Sequence, residues 1–398
     1  MTEIVRARDG GYPSSRRTLL TIGLMLIAST LRAPITGVAP MLGMIRDSSG
    51  ISAAEAGVLT TLPLLAFAVI SPFAPAIARE YGMERSLFGA LLVISSGILL
   101  RSTGPTSTLF LGTGALGAGI AVANVLLPGL IKRDFPTRIA GLTGAYTVTT
   151  GLVQALVSTA AIPLAQLPGS GWHVSLVSTV IFPMTALMVW VPQLRRQSAP
   201  GPVTGSKADQ SGIWRSSIAW QVTAFLGLTS LVFFSITGWL PTILQEAGYP
   251  AATAGSLHGL LQLATAMPGL VLGSAIRGTK DQRALAVGVS LATGLSLLGL
   301  WQFPALAPLW VGLFGFGAGA GFALGLAFVS LRTSHNHQTA ALSGMAQCLG
   351  YSLAAAGPAL VGFAHDATGG WGVALGLCIA ATLLMAAFGN LAGRETTI

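Results

Sequence analysis

Apolar residues fall into twelve long runs of about 20 residues each, separated by short polar connections. They cover approximately 18–45, 54–77, 86–102, 107–131, 139–163, 173–192, 218–245, 254–276, 284–301, 307–330, 339–363 and 371–392. A run of that length crosses a hydrocarbon core of ~30 Å as a helix. Spanning strands would need only ~10 residues, with apolar and polar positions alternating, and the runs show no such alternation. The pattern predicts an all-α membrane protein with twelve transmembrane helices.

Composition agrees. The chain has 398 residues, 52% of them hydrophobic and only 8% charged, against roughly 25% charged in soluble domains. The formal charge of +9 is informative through its placement. With the N-terminus in the cytoplasm, the inner connections hold 18 of the 21 Lys and Arg: Arg6, Arg8, Arg16, Arg17, Arg79, Arg85, Lys132, Arg133, Arg138, Arg195, Arg196, Lys207, Arg215, Arg277, Lys280, Arg283, Arg332 and Arg394. Arg46 and Arg101 count with the outer connections, and only Arg32 remains, in the middle of the first run. This bias obeys the positive-inside rule and sets both termini in the cytoplasm. Cations that punctuate apolar runs form no single basic face, so nucleic acid is not an expected partner. Cys348 and Cys378 lie within runs at no metal or redox spacing and read as packing residues. The first run carries no small-residue cleavage site and reads as a retained span.

The pattern also repeats. Ile35-Thr36-Gly37-Val38-Ala39-Pro40 returns as Ile236-Thr237-Gly238-Trp239-Leu240-Pro241, and Ala56-Gly57 returns as Ala254-Gly255. Gly117-Ala118-Gly119 returns as Gly317-Ala318-Gly319, Leu142-Thr143-Gly144 as Leu342-Ser343-Gly344, and Gly171-Trp172 as Gly370-Trp371. Five matches in order, all shifted by about 200 residues, describe two tandem copies of one unit. The expected organisation is a tail over 1–17, a six-helix half over 18–192, a polar cytoplasmic linker over 193–217, a second six-helix half over 218–392 and a tail over 393–398. Six is even, so both halves enter from the same side and the repeats are parallel.

Two parallel six-helix halves around a central cytoplasmic linker resemble the major facilitator superfamily. Its usual G-x-x-x-D-R-x-G-R-R loop after the second helix survives only as the Gly and the charge pairing of Ala78-Arg79-Glu80-Tyr81-Gly82-Met83-Glu84-Arg85. A finer resemblance lies in Leu31-Arg32-Ala33-Pro34-Ile35-Thr36-Gly37-Val38-Ala39-Pro40-Met41-Leu42, similar to the L-R-P-x-I-T-x-V-x-P-L-L first helix of cyanate and 2-nitroimidazole porters, although Ala33 stands where those often have Pro. Pro128-Gly129-Leu130-Ile131-Lys132-Arg133-Asp134-Phe135 resembles their P-x-x-I-K-R-x-F.

Arg32 is the leading candidate for chemistry. It lies ~14 residues, or roughly 20 Å of helix, from the inner end. Placing Arg there costs on the order of 3 kcal/mol even on lenient insertion scales. The twelve Asp and Glu all lie in tails, loops or at helix ends, so no permanent partner is expected at that depth. A guanidinium facing a water-filled cavity offers a planar fork of donors to delocalised anions. The alternative is a structural Arg that takes up a carbonyl freed by Pro34. The mid-depth amides and phenol, Asn124, Gln154, Gln262, Gln347 and Tyr351, either bind a ligand or tie helices together. The resemblance implies that helices one, four, seven and ten surround the cavity, which adds Thr36 and Thr237, with Phe233 and Trp239 as walls opposite Arg32. His258 and Glu246 are the candidates for proton coupling. Gly317, Gly321 and Gly325, every fourth residue of the tenth run, predict close helix packing.

The expected function is secondary transport, in a bacterial inner membrane, of a small anion or small nitro-heteroaromatic by alternating access. No G-x-x-x-x-G-K-[ST] loop is present, and no cofactor, metal or enzymatic activity is expected. The partners are the bilayer and a small-molecule substrate, and the protein is expected to be a monomer. The alternatives are a proton-coupled multidrug exporter of the same superfamily and, from a different class, a membrane sensor.

Overall fold

The structure is a computed structural model describing residues 14–135, 137–195, 210–269, 271, 281–334 and 336–398. Among the described residues it is all-helical. The first run is not one helix. α1 (Ser14–Thr30) is followed by a single turn, α2 (Ala33–Thr36), then by a 3-10 turn at Ala39–Met41 and by α3 (Leu42–Ser49). The physical cause is Pro34. Its ring clashes with the carbonyl four residues back, that of Thr30, and it has no N–H to give.

The other runs follow the apolar pattern. α4 (Ala53–Ile70) and α5 (Ala74–Tyr81) share the second, α6 (Met83–Arg101) takes the third, α7 (Thr106–Asp134) the fourth and α8 (Ile139–Ala165) the fifth. α9 (Trp172–Ser178) and α10 (Ile181–Trp190) share the sixth, and α11 (Gln210–Arg215) is a short helix within the stretch expected to be linker. α12 (Ser217–Glu246), α13 (Ala251–Ala266), α14 (Arg283–Gln302), α15 (Ala307–Leu331), α16 (Asn336–Thr368) and α17 (Trp371–Ala392) complete the chain. Eleven of the spans are long and apolar enough, among the described residues, to cross a membrane. The eighth expected run is described through α13, with 270 and 272–280 outside the described residues, as are 196–209 of the expected linker. Leu111 at 67% and Met188 at 73% exposure typify large apolar side chains turned outward, as a lipid-facing surface requires.

Two compact units emerge. The first comprises Met1–Val38, Ala66–Val157 and Ala161–Val203, and the second Ala39–Leu65, Ser158–Ala160 and Thr204–Ile398. In the first, Leu24, Ile27, Leu87, Ile94, Leu116 and Trp190 form the core. The Trp190 indole N–H donates to the Glu84 carbonyl at 3.0 Å. Buried Glu84 at the start of α6 and buried Asp134 at the end of α7 both pair with Arg133, each at 2.8 Å, which ties the two helix ends together. Gly82, with φ 84°, supplies the left-handed turn between α5 and α6 that a side chain would strain.

In the second unit, Phe225 and Phe328 centre one core. The glycines of α15 behave as their spacing predicts. A Cβ on Gly317 would fall 2.5 Å from the Thr293 hydroxyl, one on Gly321 2.9 Å from Thr229, and one on Gly325 2.6 Å from Leu226. α15 thus lies directly against α14 and α12. Of the two cysteines expected to pack, Cys378 is buried but Cys348 is exposed.

Candidate substrate site

Leu31 and Arg32 occupy the break between α1 and α2. The Arg32 carbonyl accepts from the N–H groups of Ile35 and Thr36, both at 3.1 Å, and from the buried Thr36 hydroxyl at 2.8 Å. Its side chain is half-buried, and its guanidinium makes no hydrogen bond or ion pair among the described residues. All its donors are therefore available to a ligand.

The structural duty that Pro34 creates falls to another arginine. After Thr36 the chain tightens, and the Val38 N–H bonds to Ile35 rather than to Pro34. The orphaned Pro34 carbonyl accepts from Arg101 Nη1 at 2.8 Å. Arg101 Nη2 reaches the Thr179 hydroxyl at 3.5 Å, and its Nε has no acceptor. The sequence places Arg101 in an outer connection, but the structure buries it completely. Two arginines, neither paired with a carboxylate among the described residues, thus attend one helix break.

The first unit also holds two of the amide candidates, not bonded to each other. Half-buried Asn124 accepts from the Tyr146 hydroxyl at 3.4 Å, and Gln154 donates to the Thr150 carbonyl of its own helix at 3.2 Å.

In the second unit the candidates fall into three groups. Phe233 is buried edge-to-face against Phe234 and Phe322, and Phe234 packs with Tyr351 against Leu64, Ala354 and Ala355. Nearby on α12, the Thr237 hydroxyl is buried and has no hydrogen-bond partner among the described residues. The second group is a closed triplet. Fully buried His258 meets the Ser158 hydroxyl at 2.5 Å through Nδ1 and the Gln262 amide at 3.3 Å through Nε2. Gln347 belongs with neither: it is exposed and donates to Ser343 at 2.9 Å.

The third group is one that sequence reasoning misses almost entirely. Asp366 accepts from the Ala53 N–H at 2.9 Å, capping α4 alongside the Ser52–Glu55 capping box. Arg46 lies 3.6 Å from Asp366, and its guanidinium sits 5.9 Å over the Trp239 ring. His365 bridges Asp366 and Glu246, at 3.4 and 3.2 Å, and stacks on Trp371. Trp239, expected as a cavity wall, is fully buried instead: it donates to the Pro358 carbonyl at 2.8 Å and packs against Trp371. Under this cluster, a Cβ on Gly57 would fall 2.6 Å from Ala359 Cα, and one on Gly362 2.6 Å from the Ala53 carbonyl. α4 and α16 therefore touch backbone to backbone.

Known proteins resemble this chain along most of its length. The chain is 53% identical, over 96% of its length and 97% of the relative's, to the 2-nitroimidazole transporter of Escherichia coli K12. It is 28% identical, over 87% of its length and 90% of the relative's, to the cyanate transport protein CynX of the same organism. In fold it resembles a bacterial homologue of the human lysosomal transporter Spinster, solved inward-facing and unoccupied. That match has a TM-score of 0.81 at 14% identity, covering 96% of this chain and 98% of that one. The family model for the Major Facilitator Superfamily matches residues 20–355, and with the relatives that settles the family: this chain is a transporter of the major facilitator superfamily.

Proposed function

We propose that the transporter carries a small planar anion, or a small nitro-heteroaromatic whose nitro oxygens act as one, bound by the Arg32 guanidinium. The observation that carries this reading is a half-buried guanidinium in a helix break, with no donor committed among the described residues. A guanidinium fork matches two oxygens of a carboxylate, nitrate or nitro group. The E. coli relatives, named for 2-nitroimidazole and cyanate, support solutes of that kind. Thr36, Asn124 and Gln154 supply orientation within the first unit; within the second, taken by itself, Phe233, Thr237 and Tyr351 are the candidates for substrate contact. The two arginines at the break would repel the cations typical of a multidrug exporter. The placement of 18 of the 21 Lys and Arg supports an inner-membrane protein with cytoplasmic termini. The work done is transport and not catalysis.

The test is thermal unfolding of the purified protein with cyanate, nitrate, benzoate and 2-nitroimidazole. A ligand at 100 times its Kd stabilises by ~2.7 kcal/mol. We expect a shift with one class, abolished in Arg32→Ala and partly kept in Arg32→Lys. A shift undiminished in Arg32→Ala refutes the assignment.

For proton coupling, the Glu246–His365 pair is preferred to His258. Glu246 is 45% exposed, whereas His258 is sealed and holds partners on both ring nitrogens. In proteoliposomes, Glu246→Gln should abolish uptake driven by a pH gradient while sparing exchange of labelled for unlabelled substrate. Intact gradient-driven uptake would reject Glu246 as carrier.

A further inference from the structure

The first unit carries a groove unrelated to the helix break. It has a volume of about 380 Å³ and runs between α5, α6 and α7. Ile77, Val93 and Val122 are among its walls, and small residues, Gly89, Ala118 and Gly119, hollow it out. A Cβ on Gly89 would meet nothing within 4 Å, whereas one on Gly119 would fall 2.7 Å from the Ala90 carbonyl. α6 and α7 are thus in close contact beneath an open channel.

Polar groups gather at one end. Tyr81 and Arg85 line it and both are exposed. The Ser86 hydroxyl, also in the lining, is spent on the Gly82 carbonyl at 2.7 Å. The Arg133–Glu84 bridge at 2.8 Å pins the end of α7 beside the start of α6, which brings exposed Lys132 to the same end. Arg79, Arg85 and Lys132 make no ion pair among the described residues. The carboxylates of this end are exposed Glu80, together with Glu84 and Asp134, which are turned inward onto Arg133.

An apolar channel with free cations at its mouth matches an amphiphile with an anionic head. A water-soluble solute would give up its hydrogen bonds to such walls and regain none, whereas basic pockets between transmembrane helices suit anionic lipid headgroups. We propose that this groove binds one anionic phospholipid, with an acyl chain along Gly89 and Gly119 and the phosphodiester at Arg85.

The experiment is lipid retention measured by native mass spectrometry. The protein is exchanged into detergent with phosphatidylglycerol or with phosphatidylcholine of the same chains, and glycerol 3-phosphate serves as a headgroup-only control. We expect one retained lipid, with about a fivefold preference for phosphatidylglycerol, the worth of one cation near an anionic head. Glycerol 3-phosphate should not bind. Arg85→Gln and Arg85→Glu should remove the preference, and Gly89→Leu, which fills open space, should lower retention of both lipids. Equal retention of the two lipids by the unaltered protein would overturn the proposal. So would a preference that survives both Arg85 variants, retention unchanged by Gly89→Leu, or binding of glycerol 3-phosphate alone.

Discussion

Arg101 donates to the carbonyl of Pro34 across 67 residues of sequence, at 2.8 Å and in complete burial. The contact joins the end of α6 to the turn that presents Arg32. Replacing Arg101 with Leu leaves a buried carbonyl without a donor, at a cost of ~1–3 kcal/mol. It should therefore lower the unfolding temperature, and substrate affinity should fall although Arg32 is untouched. Arg101→Lys should recover part of both. Calorimetry and ligand titration of the two variants check this, and normal affinity in Arg101→Leu would separate the turn from the binding group.

Arg133 holds two buried carboxylates at once. Arg133→Met takes this partner from both carboxylates, and breaking a buried pair costs on the order of 3 kcal/mol or more. We expect poor expression and a large drop in thermal stability, which Glu84→Gln in the same chain should partly rescue. A stable Arg133→Met single variant would show that the bridge adds little.

The contact of α4 with α16 tolerates no added atom. In Gly57→Ala the new Cβ would meet backbone at Ala359 and Pro358, which cannot rotate away, so ~1–3 kcal/mol of overpacking is expected. Gly288→Ala is the control. A Cβ there meets nothing within 4 Å, and in the middle of α14 it should be neutral or stabilising by up to ~1 kcal/mol. Unfolding temperatures of the pair should move in opposite directions, or only Gly57→Ala should move.

Asp366 has two roles that substitution can divide. Asp366→Asn keeps an acceptor for the Ala53 N–H but loses the charge facing Arg46. Because the Arg46 pair is partly exposed, we expect under ~1 kcal/mol for that loss. Asp366→Ala also removes the cap, at ~1 kcal/mol more. Equal stability of the two variants would mean that the cap contributes nothing measurable.

Much of this was legible in the sequence, because membrane helices declare themselves by length and apolarity. The run pattern gives the helices, and the offset near 200 gives the duplication. The run pattern does not give the break at Pro34, because the run over 18–45 continues past it; its repeat counterpart is Ser235, and there α12 runs through unbroken. Arg32 stands out because no acid shares its depth. What the sequence hides is long-range pairing. Arg101 precedes Ser102-Thr103-Gly104-Pro105 and reads as a loop cation until Pro34 folds against it. Asp366 and Ala53 are 313 residues apart, and no local signal links a helix-end acid to a helix start in the other repeat. Trp239 misleads for a similar reason: it is aromatic in a helix that the resemblance sets beside a cavity, but the Pro358 carbonyl accepts from its indole N–H.

The guanidinium of Arg32, which pairs with no carboxylate among the described residues, also has an electrical consequence. A carrier whose binding cation lacks a fixed counter-charge is charged when empty and close to neutral when an anion is aboard. A proton taken up by Glu246 on loading would cancel that difference. In a cycle that carries an anion without a proton, the transmembrane voltage acts on the return of the empty carrier rather than on the crossing of the loaded one. The effect has a ceiling of ~2.3 kcal/mol per 100 mV for a full charge crossing the whole field. The resting potential of the cell would then set turnover through a step in which no substrate takes part.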